Sequence, residues 1–171
     1  ILTKRLGTGI LATAIKAGLI SPAVEREAIE SMATLNGKTS QLMASYSVHA
    51  CTDITGFGLL GHALELAVAS KVRLILDSAE VPLLPETREL VHMGLVPAGS
   101  YANRNYCTHQ IEQRKPVDPV MLDLLADAQT SGGLLIALPE DQARSLLADL
   151  REHDVSHAAM IGRVVGGTAG T

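Results

Sequence analysis

The sequence predicts an α+β domain, a layered α/β/α arrangement with a mixed sheet. Three observations point there. Short runs rich in β-branched residues and leucine alternate with longer stretches of helical periodicity, the pattern of strands covered by helices. The chain opens on consecutive helices, so it is not a strictly repeating βαβ wheel. Its 171 residues are 47% hydrophobic and 19% charged, enough to bury one core of ordinary domain size.

"GTGILATAIKAG" (7–18) reads as a helix, with Thr8 as cap, an apolar stripe of Ile10, Leu11, Ala14 and Ile15, and Gly18 as stop. "SPAVEREAIESMATLNG" (21–37) repeats the logic: Ser21 caps, Pro22 takes the first turn, Glu25 and Glu27 suit the positive end, and Asn36-Gly37 ends it. A third helix is expected over roughly 39–46, and "SVHACTDI" (47–54) as a short buried strand. Then come a helix over 58–70, a strand over 72–77 and a short helix over 84–94. Residues 95–118 are polar and read as a loop. Asp118 and Pro119 open a helix to 128, residues 132–139 form a strand, 140–153 a strongly amphipathic helix, and 158–165 a last strand. The tail 166–171 reads as a frayed end. The chain begins at Ile1 rather than Met, abruptly, so we expect a fragment whose N-terminal part is absent.

With one Phe, three Tyr and no Trp, the core must be aliphatic, and platforms for stacking single-stranded bases are missing. Net charge is −4 without a basic block, which argues against nucleic-acid binding. Cys51 and Cys107 lack CxxC spacing, which fits a reducing cytoplasm rather than a disulfide or zinc scaffold. No apolar run is long enough for a bilayer, and no signal-peptide pattern is visible.

The most unusual stretch is "HACTDITGFGLLGH" (49–62). Asp53 follows a predicted strand, and Gly56 and Gly58 let the chain turn sharply or approach a ligand closely. A carboxylate at a strand end is placed to cap the next helix, to serve as one hard ligand for Mg²⁺, or to sit in solvent. If 48–54 is a strand, His49, Cys51 and Asp53 share a side, a set that would suit a transition metal. A packed histidine and an inert thiol are the plainer reading. Lys4 and "GTG" (7–9) either hold an anion at a helix start or belong to a plain capped helix, which we favour. Thr130, Ser131, Gly132 and Gly133 either shape a cleft beside Asp53 or only make a bend. His62 reads as packed or capping. His92, His109, His153 and His157 read as surface or loop residues. The segment 101–110 either lines a substrate mouth or covers an edge.

"LTKRLGTGIL" (2–11), "MATLN" (32–36), "HACTDITGFGLLGHALELA" (49–67) and "DAQTSGGLL" (127–135) occur in an order and at spacings that resemble the C-terminal domain of the selenophosphate synthetase (selenide, water dikinase) family. The wider superfamily includes aminoimidazole ribonucleotide synthetase, thiamine-monophosphate kinase and a hydrogenase maturation protein. The resemblance implies their C-terminal fold, with residues 1–171 as one domain of a two-domain enzyme. It implies ATP and selenide as substrates, Mg²⁺ as metal, the protein's own N-terminal domain as partner, and a homodimer at full length in the cytoplasm. It further implies Asp53 as a metal ligand, and no other residue here is carried over from the family. Thr52, Gly56, Thr130, Ser131 and Gly132 are cleft candidates by their own position, not by the resemblance. The catalytic Cys or selenocysteine would lie in the missing domain, so no catalytic residue is expected here and this piece alone should be inactive. Two departures stand out: Arg5 and Ala128 occupy positions where the family usually has Pro, which alters turn rigidity rather than a ligand. The alternatives are another ATP enzyme of the superfamily, of aminoimidazole or thiamine type, or a non-catalytic docking domain.

Overall fold

The computed structural model describes residues 1–167, so the last four residues of the predicted frayed tail lie outside the described part. Twelve elements follow one another: α1 (Thr8–Ala17), α2 (Pro22–Ala33), α3 (Gly37–Met43), β1 (Ala50–Asp53), α4 (Gly58–Ser70), β2 (Arg73–Leu76), α5 (Thr87–His92), α6 (Ala98–Thr108), α7 (Pro119–Leu125), β3 (Leu134–Ala137), α8 (Glu140–Glu152) and β4 (Gly162–Val165). The α+β class holds. The expected mixed sheet is replaced by two antiparallel ladders, β1 with β3 and β2 with β4. A parallel bridge survives at Leu6–Leu83, and Leu2 bridges both Leu135 and Ala159, tying the chain's opening segment to the edge of the first ladder.

Local signals explain most elements. Ser21 accepts from the Val24 amide and Asp118 from the Val120 amide, each with Pro in the first helical turn, as read from sequence. Gly18 ends α1 in the left-handed conformation at φ 67°. In α8, Ala143, Leu146 and Leu150 face inward, and Glu140 and Asp141 sit at the positive end. The most enclosed helix is α4, which buries eight of its residues. Every fully buried large side chain is Leu or Ile, so the core is aliphatic as the composition demands.

Three expectations need correction. Residues 95–118 are not a loop throughout, because α6 spans Ala98–Thr108. Its Gly, Ser, Asn and Tyr content is poor for a helix, but Ser100 and Cys107 are buried and Asn103 donates to the carbonyls of Gly56 and Ala126, so tertiary contacts override propensity. Asn36-Gly37 does not end α2 but starts α3; α2 stops at Ala33, where Lys4 Nζ takes the carbonyls of Ser31 and Thr34. The strand predicted over 47–54 narrows to β1 and is not buried: Cys51 and Asp53 are exposed, while Ala50 and Thr52 are half-buried.

Candidate active-site edge

The carboxylate of Asp53 stands at the last position of β1, paired across the ladder with Leu134. It is exposed, while Ile54 beside it is wholly buried and anchors the turn. Asp53 lines an open cleft of about 570 Å³ with Cys51, Thr52, Asn36, Gly37 and Ser40. Among the described residues its side chain has no hydrogen-bond donor and no ion-pair partner. The helix that follows, α4, has Phe57 at its N-cap and no side-chain cap, so Asp53 does not cap it.

The turn after Asp53 is held from several sides. The Ile54 amide donates to Gly133 O at 2.8 Å, the Gln129 amide to Thr55 O at 2.9 Å, and Asn103 Nδ2 to Gly56 O at 2.8 Å. Gly132 packs so closely behind it that a Cβ there would lie 2.0 Å from Ile54 O. A carboxylate on so constrained a turn is pre-positioned, which reduces the ordering a ligand must impose.

The cleft candidates separate. Thr52 lines the Asp53 cleft, and its hydroxyl donates to Asp53 O at 3.3 Å. Gly56 is exposed in the turn, its carbonyl used by Asn103. Thr130, Ser131 and Gly132 do not line that cleft; they form the bend behind it. The Thr130 amide donates to Thr8 Oγ1, Ser131 O accepts from Lys4 Nζ, and Gly132 O accepts from Asn36 Nδ2. Lys4 is thus committed to three carbonyls rather than to an anion, and burial lowers its pKa.

His49, Cys51 and Asp53 are all exposed, as strand alternation demands. They do not make a transition-metal site: among the described residues no group of three or more His, Cys, Asp or Glu is placed to hold a metal. Although Cys51 as a residue is exposed, partial desolvation of its sulfur, with the neighbouring Asp53, pushes the thiol up, away from thiolate character. Asp53 by itself suits one position on Mg²⁺, a hard ion that accepts one or two protein carboxylates and fills the rest with phosphate oxygens and water. His62 is buried, with Nε2 3.1 Å from Thr55 Oγ1 and Nδ1 3.1 Å from Glu65 Oε2. His92, His109, His153 and His157 are exposed, as read from sequence.

Sequence reading missed Asp127 and Gln129. Gln129 Oε1 accepts from the amides of Gly7 and Thr8 and from Thr8 Oγ1, while Asp127 Oδ2 accepts from the amides of Gly9 and Ile10. All four amide donors left open at the start of α1 are therefore satisfied by residues more than a hundred positions away. Asp127 also accepts from Ser100 Oγ and Gln129 Nε2. The carboxylate at the "GTG" helix start is the chain's own. Gly9 is needed there, because a Cβ would lie 2.3 Å from Ala128 O. The available signal was the i, i+2 pairing of an acid and an amide in "DAQ" just before a glycine bend.

Burial pushes the Asp127 carboxyl up to about 6 against four hydrogen bonds that pull it down. The folded protein therefore holds this proton more tightly than the unfolded chain, whose value is near the ordinary 3.8. Between those values the native state binds more protons, so this group's contribution falls as pH rises from about 4 to about 6 and is flat above. Denaturant unfolding across that range should show the parent losing on the order of 2–3 kcal/mol relative to Asp127→Asn. Parallel pH profiles would contradict the assignment.

The helices and the two antiparallel ladders define an α+β domain with an exposed carboxylate at the end of β1. The chain belongs to the family described as AIR synthase related protein, C-terminal domain, whose model matches residues 1–171. Within that family it is similar to the selenide, water dikinases. It is 46% identical over 165 residues to that of Pelobacter propionicus, covering 96% of this chain and 47% of that protein. It is 48% identical over 153 residues to that of Nitratidesulfovibrio vulgaris, covering 87% and 44%. The chain thus spans about half the length of the curated relatives it matches. Among solved structures, E. coli HypE, a hydrogenase maturation protein, superposes with a TM-score of 0.69 at 20% identity, covering 98% of this chain and 43% of that one. Thiamine-monophosphate kinase from Stenotrophomonas maltophilia gives 0.60 at 17%, covering 97% and 46%. These last likenesses speak to fold alone.

Proposed function

We propose that this chain is the C-terminal domain of an ATP-dependent selenophosphate synthetase, and that Asp53 holds one Mg²⁺ of its ATP site. The reaction converts ATP, selenide and water into selenophosphate, AMP and phosphate. The observation that carries the reading is the unengaged, exposed Asp53 carboxylate on a constrained turn at an open cleft. Support comes from the similarity to selenide, water dikinases over 96% of the chain, and from a HypE structure in complex with ATP.

The physical demand is charge: several phosphoryl oxygens must be held together while a soft anion approaches. Bound Mg²⁺ supplies charge neutralisation and orients the in-line groups. What this chain does is hold the backbone turn that carries Asp53, through the Ile54, Gly56 and Gly132 contacts. It leaves the nucleophile and the other metal ligands to the domain that its relatives carry in addition. In this reading Cys51 is not that nucleophile, because the family's catalytic cysteine lies in the other domain. The full-length protein acts as a cytoplasmic homodimer in this reading.

Two measurements test it. The intact protein should consume ATP with selenide and not with aminoimidazole or thiamine-phosphate substrates; the reverse would move it to a neighbouring branch of the family. The isolated 171-residue chain should show no ATP turnover and only weak heat on titration with Mg·ATP. Tight binding by the isolated chain would mean that the nucleotide site lies here.

A further inference from the structure

Asn36 ends the "MATLN" stretch and, like Asp53, lines the open cleft. It stands at the N-cap of α3, where an asparagine side chain ordinarily accepts from a backbone amide of the first turn. Here it makes no such bond, and its backbone lies at φ −77°, ψ 1° instead of the extended conformation usual for a capping residue. The side chain reaches elsewhere: Nδ2 donates to Gly132 O at 2.9 Å. A carbonyl only accepts, so that contact fixes which end of the amide is nitrogen and which is oxygen. Among the described residues no donor reaches Oδ1. Asn36 is half-buried, and Oδ1 is not among the buried atoms left without a partner, so this oxygen opens to solvent.

The amide is anchored next to the turn that carries the carboxylate. Gly132 packs against Ile54 O, where a Cβ would lie only 2.0 Å away. Gly133 O accepts from the Ile54 amide, and Leu134 faces Asp53 across the ladder. Asn36 also belongs to the wall of a larger cavity beside α2, and the bond to Gly132, behind Ile54, holds its amide toward β1. The segment before Asn36 is tied to the same bend, because Lys4 Nζ takes both Thr34 O and Ser131 O, at 2.6 and 2.7 Å.

We propose that Asn36 is a positioning residue of the Asp53 site: its Oδ1, aimed by the Nδ2–Gly132 bond, accepts a hydrogen bond from a water of the divalent cation that Asp53 holds. The inference rests on the reading of Asp53 as a metal ligand. Mg²⁺ gives up its waters reluctantly, so acceptors around the hydrated ion help to hold it. An amide oxygen does this without adding a second negative charge beside the carboxylate.

The test uses the full-length protein with Mn²⁺ as an EPR probe of metal binding, beside thermal unfolding. Asn36→Ala removes the oxygen and the bond to Gly132 together. Asn36→Asp keeps an acceptor oxygen, adds a charge that attracts the cation, and still loses the donor to Gly132 O. Both variants should melt below the parent, since both lose that bond. Their metal binding should part. Asn36→Ala should weaken Mn²⁺ binding about tenfold, the scale of outer-shell losses. Asn36→Asp should bind Mn²⁺ at least as tightly as the parent, because the ion accepts one or two carboxylates. Equal weakening in Ala and Asp means that Asn36 only clamps the bend, and overturns this inference. So does parent-like binding in Asn36→Ala while Asp53→Asn loses the ion. Parent-like binding in Asp53→Asn overturns the metal-ligand reading and this inference with it.

Discussion

Asp53→Asn in the full-length protein should abolish selenide-dependent ATP consumption while leaving the fold intact. The side chain is exposed and makes no hydrogen bond or ion pair among the described residues, so its replacement should change stability by no more than about 0.5 kcal/mol. Asn keeps the shape and one oxygen but removes the charge that a hard cation requires. Outer-shell partners of metal sites already contribute about 10–100-fold, so a direct ligand should contribute at least about 100-fold. Selenide-dependent turnover and the melting temperature measured together separate the two effects. The exposed acid Glu112, changed to Gln, serves as the control and should leave both unchanged. Near-normal turnover by Asp53→Asn would remove the metal-ligand reading.

The second large effect is structural. Asp127→Ala should lower stability by about 3 kcal/mol, because four donors lose their acceptor at once: the amides of Gly9 and Ile10, Ser100 Oγ and Gln129 Nε2. Removing a buried carboxylate relieves its desolvation, and that opposes the loss. Each unsatisfied buried donor costs about 1–3 kcal/mol, so four of them outweigh the relief. For a chain of this length the melting temperature should drop by roughly 6–12 °C. The same change frees the start of α1 and the bend behind β1, so amide exchange should quicken at Gly7 to Ile10 first. An Asp127→Ala variant that melts with the parent would show that solvent or neighbouring groups satisfy those donors.

Both predictions concern a carboxylate, and the two were not equally legible. Asp53 stood out because it separates an apolar run from a glycine turn, and the sequence reading already held the metal ligand among its alternatives. Asp127 lies in the same kind of setting, before the Gly132-Gly133 bend, but its partners Gly9 and Ile10 are 118 and 117 positions away. No local window contains that pairing. His62 reads as packed from sequence and is so, but its link to Thr55 depends on how far α4 folds back over the turn.

What the sequence determined by itself was local. Proline and capping residues set the starts of α2 and α7, glycine set the end of α1, and amphipathic spacing set α8, because helix and strand periodicities and end-capping act over a few residues. The scarcity of aromatics alone dictated an aliphatic core. Only the tertiary structure decided that residues 98–108 become a helix, that the strands pair as two antiparallel ladders, and that β1 turns Asp53 outward. Those outcomes rest on contacts between distant segments, such as Asn103 on Gly56 O and Gln129 on the start of α1, whose energies no local pattern encodes.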